Sequence, residues 1–147
     1  MQEIQGDLLL AIRLVVAALL GGLVGLERER LGKEAGIRTY AAVTLGACAF
    51  TLIGLHISNI EDNSRIIANI ITGIGFLGAG IIFRGTEKIS GLTTAATLWA
   101  MASVGVAVAY GHYTIAAVTS IIIYLLLAIG RFKWFARLRR KPPAKEL

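Results

Sequence analysis

The chain has 147 residues, 56% of them apolar and only 16% charged, with 17 glycines and a formal net charge of +6; its mean hydropathy is +0.72. Soluble domains carry about a quarter charged residues, and a globule this small buries only about two thirds of its surface. The composition therefore excludes a soluble enzyme, a disordered segment and a nucleic-acid binder, and points to one polytopic membrane domain.

A helix needs about 20 apolar residues to cross a bilayer. Five segments meet or approach that length: Leu8–Leu26, Ile37–Ile57, Ile66–Phe83, Leu92–Tyr110 and Tyr113–Ile129. The expected fold is all-α, a bundle of five transmembrane helices spanning residues 1–130, followed by a basic tail over residues 131–147. The N-terminal stretch MQEIQGD lacks the basic region of a cleaved signal peptide, so the first apolar segment is expected to be retained. Cys48 is the single cysteine, which excludes an intramolecular disulfide and a multi-cysteine metal site.

Within the first segment, Ala17, Gly21 and Gly25 recur every fourth residue. Small residues at this spacing let helix backbones approach closely. The ladder predicts either a tight pair inside the chain or a homodimer face. Arg13 lies near the start of the same segment and is expected to snorkel toward Asp7 or lipid headgroups. In the second segment, the 3.6-residue period places Tyr40, Thr44, Ala47, Cys48 and Thr51 on one face, expected to point into the bundle.

The third segment ends in GIGFLGAG, with Gly73, Gly75, Gly78 and Gly80. This matches the glycine pattern of dinucleotide sites, but such a site needs a strand before it and a helix after it; an uncharged apolar span excludes that reading. The stretch is either a close-packing helix or a locally unwound one of the kind that lines transporter sites. Ser90 is an expected N-cap for the fourth helix.

The basic residues alternate between gaps. Arg28, Arg30, Lys33 and Arg38 fill the first gap, Arg84 and Lys88 the third, and Arg131, Lys133, Arg137, Arg139, Arg140, Lys141 and Lys145 the tail; only Arg13 and Arg65 lie elsewhere. The positive-inside rule then places the N-terminus outside and the C-terminus in the cytoplasm. The tail RFKWFARLRRK reads as an interfacial amphipathic helix in which Arg137, Arg139 and Arg140 contact anionic lipid. With this topology the second and fourth helices both start at the cytoplasmic face, and helix N-termini attract anions. Glu27, Arg38, Thr39, Thr93 and Thr94, with the glycine stretch, are expected either to form a small polar pocket there or to serve as caps and an interfacial ion pair. His56 and His112 both fall on the outer side, where a pH-sensing or weak metal pair is the minor alternative to two unrelated residues. No catalytic constellation, metal cluster or cofactor motif is expected.

In order, GLERER (25–30), AGIRTYAAVTLGA (35–47), the run from Arg65 to Gly80 ending GIGFLGAG, and GLTTAATLWAMASVG (91–105) closely resemble the MgtC/SapB family of bacterial inner-membrane proteins. The resemblance spans about residues 8–130. It implies a five-helix bundle and a non-enzymatic regulator linked to magnesium homeostasis, low-magnesium growth and, in pathogens, virulence. It also implies contact with the F-type ATP synthase; a small oligomeric ion or anion transporter is the alternative. The family's characteristic positions fall here on Glu27, Arg38, Thr39, Gly73, Gly75, Gly78, Gly80, Thr93, Thr94 and Trp99. Longer members carry a soluble cytoplasmic domain after the fifth helix, so this chain resembles a short member, and roles resting on that domain are not carried over.

Overall fold

A computed structural model describes residues 2–57, 60–84 and 89–129. Five helices follow one another: α1 (Gln2–Arg30), α2 (Ile37–Ile57), α3 (Ile60–Ile81), α4 (Leu92–Ala109) and α5 (Tyr113–Ile129). The first four are long and apolar enough to cross a membrane, and α5 is a shorter apolar helix of 17 residues. The five expected segments are all helical. Helix α1 extends beyond both ends of its apolar run, and α3 begins six residues earlier than expected, because polar ends continue the backbone ladder once the apolar part is nucleated.

The helix ends follow from local chemistry. Gly32 takes φ 58° after α1 and Gly111 takes φ 76° after α4. In each case the next two N–H groups fold back onto the last helical carbonyls: Gly32 to Glu29 and Lys33 to Arg28, Gly111 to Val108 and His112 to Ala107. This double closure satisfies carbonyls that a helix terminus otherwise leaves open. Between α3 and α4 the backbone forms a two-residue antiparallel ladder, β1 (Phe83–Arg84) with β2 (Ile89–Ser90). Ser90 therefore does not cap α4. Gly91 does, at φ 83° and without a side-chain cap bond; a Cβ there would collide with the Ile81 carbonyl.

Helix α4 is the centre of the bundle and packs on all four others, while α3 lies at the edge against α2 and α4. The expected inward face of α2 is observed: Tyr40, Thr44, Ala47, Cys48 and Thr51 are all buried. The small-residue ladder of α1 faces that helix. A Cβ on Gly21 would strike Thr44 Oγ1, and one on Gly25 would lie 2.7 Å from the Ile37 Cα. On the other side of α2, a Cβ on Gly105 of α4 would strike the Thr44 carbonyl. The ladder Ala17–Gly21–Gly25 thus serves packing inside the chain, leaving no part of its closest approach for a second copy.

The glycine run of α3 is continuous helix, not unwound. Nor does it pack closely. Among the described residues, Gly73, Gly75 and Gly80 have no neighbour within 4 Å of an added Cβ, and of the four only Gly78 meets another helix, at Ala95. The tail arginines Arg137, Arg139 and Arg140 lie outside the described residues.

Candidate functional site

Two features of the bundle are candidates for function: a polar cluster where α1 ends and α4 begins, and an open groove between α2 and α3.

The cluster is built on Arg28. This residue continues the buried face of α1 that runs through Ala17, Gly21 and Val24, so the helix carries its guanidinium into the bundle. It donates to Thr94 Oγ1 at 2.5 Å, and Thr94 in turn donates to Glu34 Oε2 at 2.8 Å. Glu34 lies in the loop between α1 and α2. Its carboxyl is held below the ordinary range, first by a backbone N–H of its own residue, then by the Thr94 hydroxyl and by the positive charges of Arg28 and Lys33. One helical turn deeper, the Tyr40 hydroxyl and Thr97 Oγ1 share a 2.5 Å hydrogen bond, and Thr97 also donates to the Thr93 carbonyl. Glu27, next to Arg28 in the chain, is buried as well.

Of the five expected pocket residues, Glu27 and Thr94 are buried here, whereas Arg38, Thr39 and Thr93 are exposed. The reason is angular. A helix advances about 100° per residue, so turning Tyr40 and Thr44 inward turns Thr39 and Ala42 outward. Arg28 takes the place expected of Arg38. The helix N-termini expected to attract an anion already have one each from the chain. Glu29 Oε2 accepts the Ile37 N–H at 2.8 Å, at the start of α2, and Glu34 sits on Thr94 in the first turn of α4. One capping carboxylate, Glu29, and a charge-assisted link from Arg28 through Thr94 to Glu34 describe this cluster better than a ligand pocket. Arg28, Glu29, Glu34, Tyr40 and Thr97 were missed as a set. The signal was present for Arg28, which lies three residues after Gly25 and so on the same face of the helix.

The groove has a volume of about 550 Å³ and is lined on α2 by Thr39, Gly46 and Phe50 and on α3 by Asn69, Gly73 and Leu77. Its glycines leave it open. Asn69 is exposed in it, with no partner among the described residues. It lies six residues inside the candidate span Asn63–Ile81, about 9 Å along the helix, a depth at which lipid supplies no hydrogen bond.

At the opposite end of the bundle, Arg13 does not snorkel toward Asp7. Its Nη1 donates to the Ala109 carbonyl at 2.6 Å. The two histidines stay apart in their bonding: His56 Nδ1 is 2.9 Å from the Leu52 carbonyl, and His112 stacks on Tyr110 with ring centres 6.1 Å apart. Among the described residues no group of three or more His, Cys, Asp or Glu is placed to hold a metal.

Comparison with known proteins agrees with the motif order. The MgtC family model matches residues 14–133. Protein MgtC of Brucella abortus is 44% identical over 115 residues, covering 78% of this chain and 48% of that protein. The YhiD protein of Escherichia coli K12, whose name proposes a magnesium transporter, is 36% identical over 80% of this chain and 59% of its own length. Protein SrpB of Synechococcus elongatus is 34% identical over 91% of this chain and 81% of its own. The chain spans about half the length of the MgtC proteins it matches. No solved structure matches it. Family model, relatives and apolar helices agree that this multi-pass membrane protein belongs to the MgtC family.

Proposed function

We propose that this protein is a non-enzymatic regulator in the bacterial inner membrane, tied to magnesium adaptation, that acts by contact with another membrane protein through the α2–α3 groove. The orientation follows the basic residues, with α1 starting outside. The observation that carries the reading is Asn69, an amide exposed at membrane depth in a groove floored by glycine. An asparagine in that position gains from a polar group on a neighbouring helix, a contact worth on the order of 1 kcal/mol in membranes. The family resemblance makes the F-type ATP synthase the first partner to test.

A photocrosslinker at Asn69, in native membranes, is expected to capture a subunit of the ATP synthase, and Gly73→Leu, which fills the groove, is expected to abolish capture at unchanged expression. Recovery of lipid adducts alone would sink the reading. The name of the Escherichia coli relative favours a second reading, a small magnesium transporter. Against it, Thr44, Thr51 and Ser120, buried in the middle of the bundle, are neutral hydroxyls bonded to carbonyls of their own helices, whereas magnesium sites draw on carboxylates. Saturable magnesium flux in liposomes holding only this chain would reverse that judgement.

A further inference from the structure

The end of the bundle where α1 begins holds a second cavity, of about 560 Å³, lined by Gly6, Asp7, Leu9, Leu10, Arg13 and His56. Unlike the α2–α3 groove, it carries both signs of charge. We propose that it is a binding site for a zwitterionic phospholipid headgroup of the phosphatidylethanolamine type, with Arg13 on the phosphate and Asp7 on the ammonium.

Three observations lead there. The first is the bonding of Arg13. One guanidinium nitrogen is spent on the Ala109 carbonyl; among the described residues Nη2 makes no hydrogen bond, and the buried Nε, out of a ligand's direct reach, is unpaired as well. A guanidinium has five N–H donors, and phosphate oxygens match their geometry.

The second is depth. Arg13 and Glu27 are 14 residues apart on one helix, about 21 Å along its axis, whereas the hydrocarbon core is about 30 Å thick. A bilayer of ordinary thickness would bury one or both. Glu27 is buried at the end of α1, next to Arg28 in the chain, and the Arg28–Thr94–Glu34 cluster makes that end of the bundle polar. At the other end a headgroup drawn down into the cavity would supply them for Arg13, at less cost than thinning the whole bilayer.

The third is charge balance. Asp7 lies six residues before Arg13 and lines the same cavity. A bare anion or an anionic lipid would meet its carboxylate, whereas a zwitterion satisfies both groups. His56 completes the wall. Its Nδ1 is engaged by the Leu52 carbonyl, which leaves Nε2 as the ring nitrogen for a headgroup contact.

The test uses the full chain, purified and delipidated in detergent, with bound lipid counted by native mass spectrometry during titration with phosphatidylethanolamine or phosphatidylglycerol. Phosphatidylethanolamine is expected to bind about tenfold more tightly, a difference of about 1.4 kcal/mol. Asp7→Asn is expected to erase that preference, and Arg13→Gln to weaken both lipids. Because Arg13 also holds α4, Arg13→Gln risks unfolding, so Gly6→Leu is the second variant. Among the described residues a Cβ at Gly6 meets nothing within 4 Å, so a leucine in the cavity wall crowds a headgroup without striking the bundle and is expected to remove the preference at an unchanged melting temperature. Soluble phosphoethanolamine separates a free source from a lipid one. Competition by it at millimolar concentration supports the headgroup chemistry, whereas equal competition by inorganic phosphate overturns it. Equal affinity for the two lipids, or indifference to Gly6→Leu, would also overturn it.

Discussion

The glycines of α1 and α4 and those of α3 put the same residue to opposite uses. Gly21, Gly25 and Gly105 seat the backbone of α2 between two helices, so tightly that no Cβ fits. Gly73, Gly75 and Gly80 face open space. The first set holds the bundle together; the second holds a surface open. In lipid there is no hydrophobic force between helices, so association depends on close packing and polar contacts. A glycine therefore stabilises only where a neighbouring backbone reaches it.

This contrast can be broken from either side. The largest effect is expected for Gly105→Leu. The side chain would drive α2 off α4, costing about 3 kcal/mol or more, and thermal unfolding in detergent should show a large fall in melting temperature or no folded protein. Next comes the link that fastens α1 to α4. Thr94→Val removes the hydroxyl between Arg28 and Glu34 and leaves a buried guanidinium short of a partner, for a loss of about 2 kcal/mol; Thr94→Ser should recover most of it in the same assay. Gly73→Leu on α3 is expected to change stability by less than about 0.5 kcal/mol while abolishing crosslinking from Asn69. A large loss of stability from Gly73→Leu would make the two glycine sets alike and end the comparison.

The smallest effect concerns pH. Folding lowers the Glu34 pKa, so the ionised carboxylate favours the folded state. That contribution is present at neutral pH and is lost as pH falls through the folded pKa, which lies below the ordinary glutamate range. Melting temperature should stay level around neutral pH and fall once the medium is more acidic than the unperturbed glutamate pKa of about 4.3. Glu34→Gln should flatten the acidic limb slightly, since the group is exposed and screened by solvent.

Much of this was legible in the chain. The apolar runs placed five helices, and the 3.6-residue period oriented α2, because a helix repeats its faces whatever surrounds it. The order of four motifs named the family. What was misread was the identity of the buried cation. Arg38 and Arg28 flank the same loop and look equivalent in a list of charges. Arg28 lies three residues after Gly25, on the face of α1 that carries Ala17, Gly21 and Val24 inward, and the inward face of α2 already pointed away from Arg38. The cap fell on Gly91 and not on Ser90 because the choice between them turned on the approach of the Ile81 carbonyl, a contact set by α3.

Length, apolar spacing and charge thus determined by themselves that the chain is a five-helix membrane bundle, since each depends only on local periodicity and on the cost of burying polar backbone in lipid. Which glycines clasp a neighbour, which arginine enters the bundle and where cavities remain were decided by tertiary structure. Those properties belong to pairs of helices, and a single sequence specifies which face each helix has without stating what that face will meet.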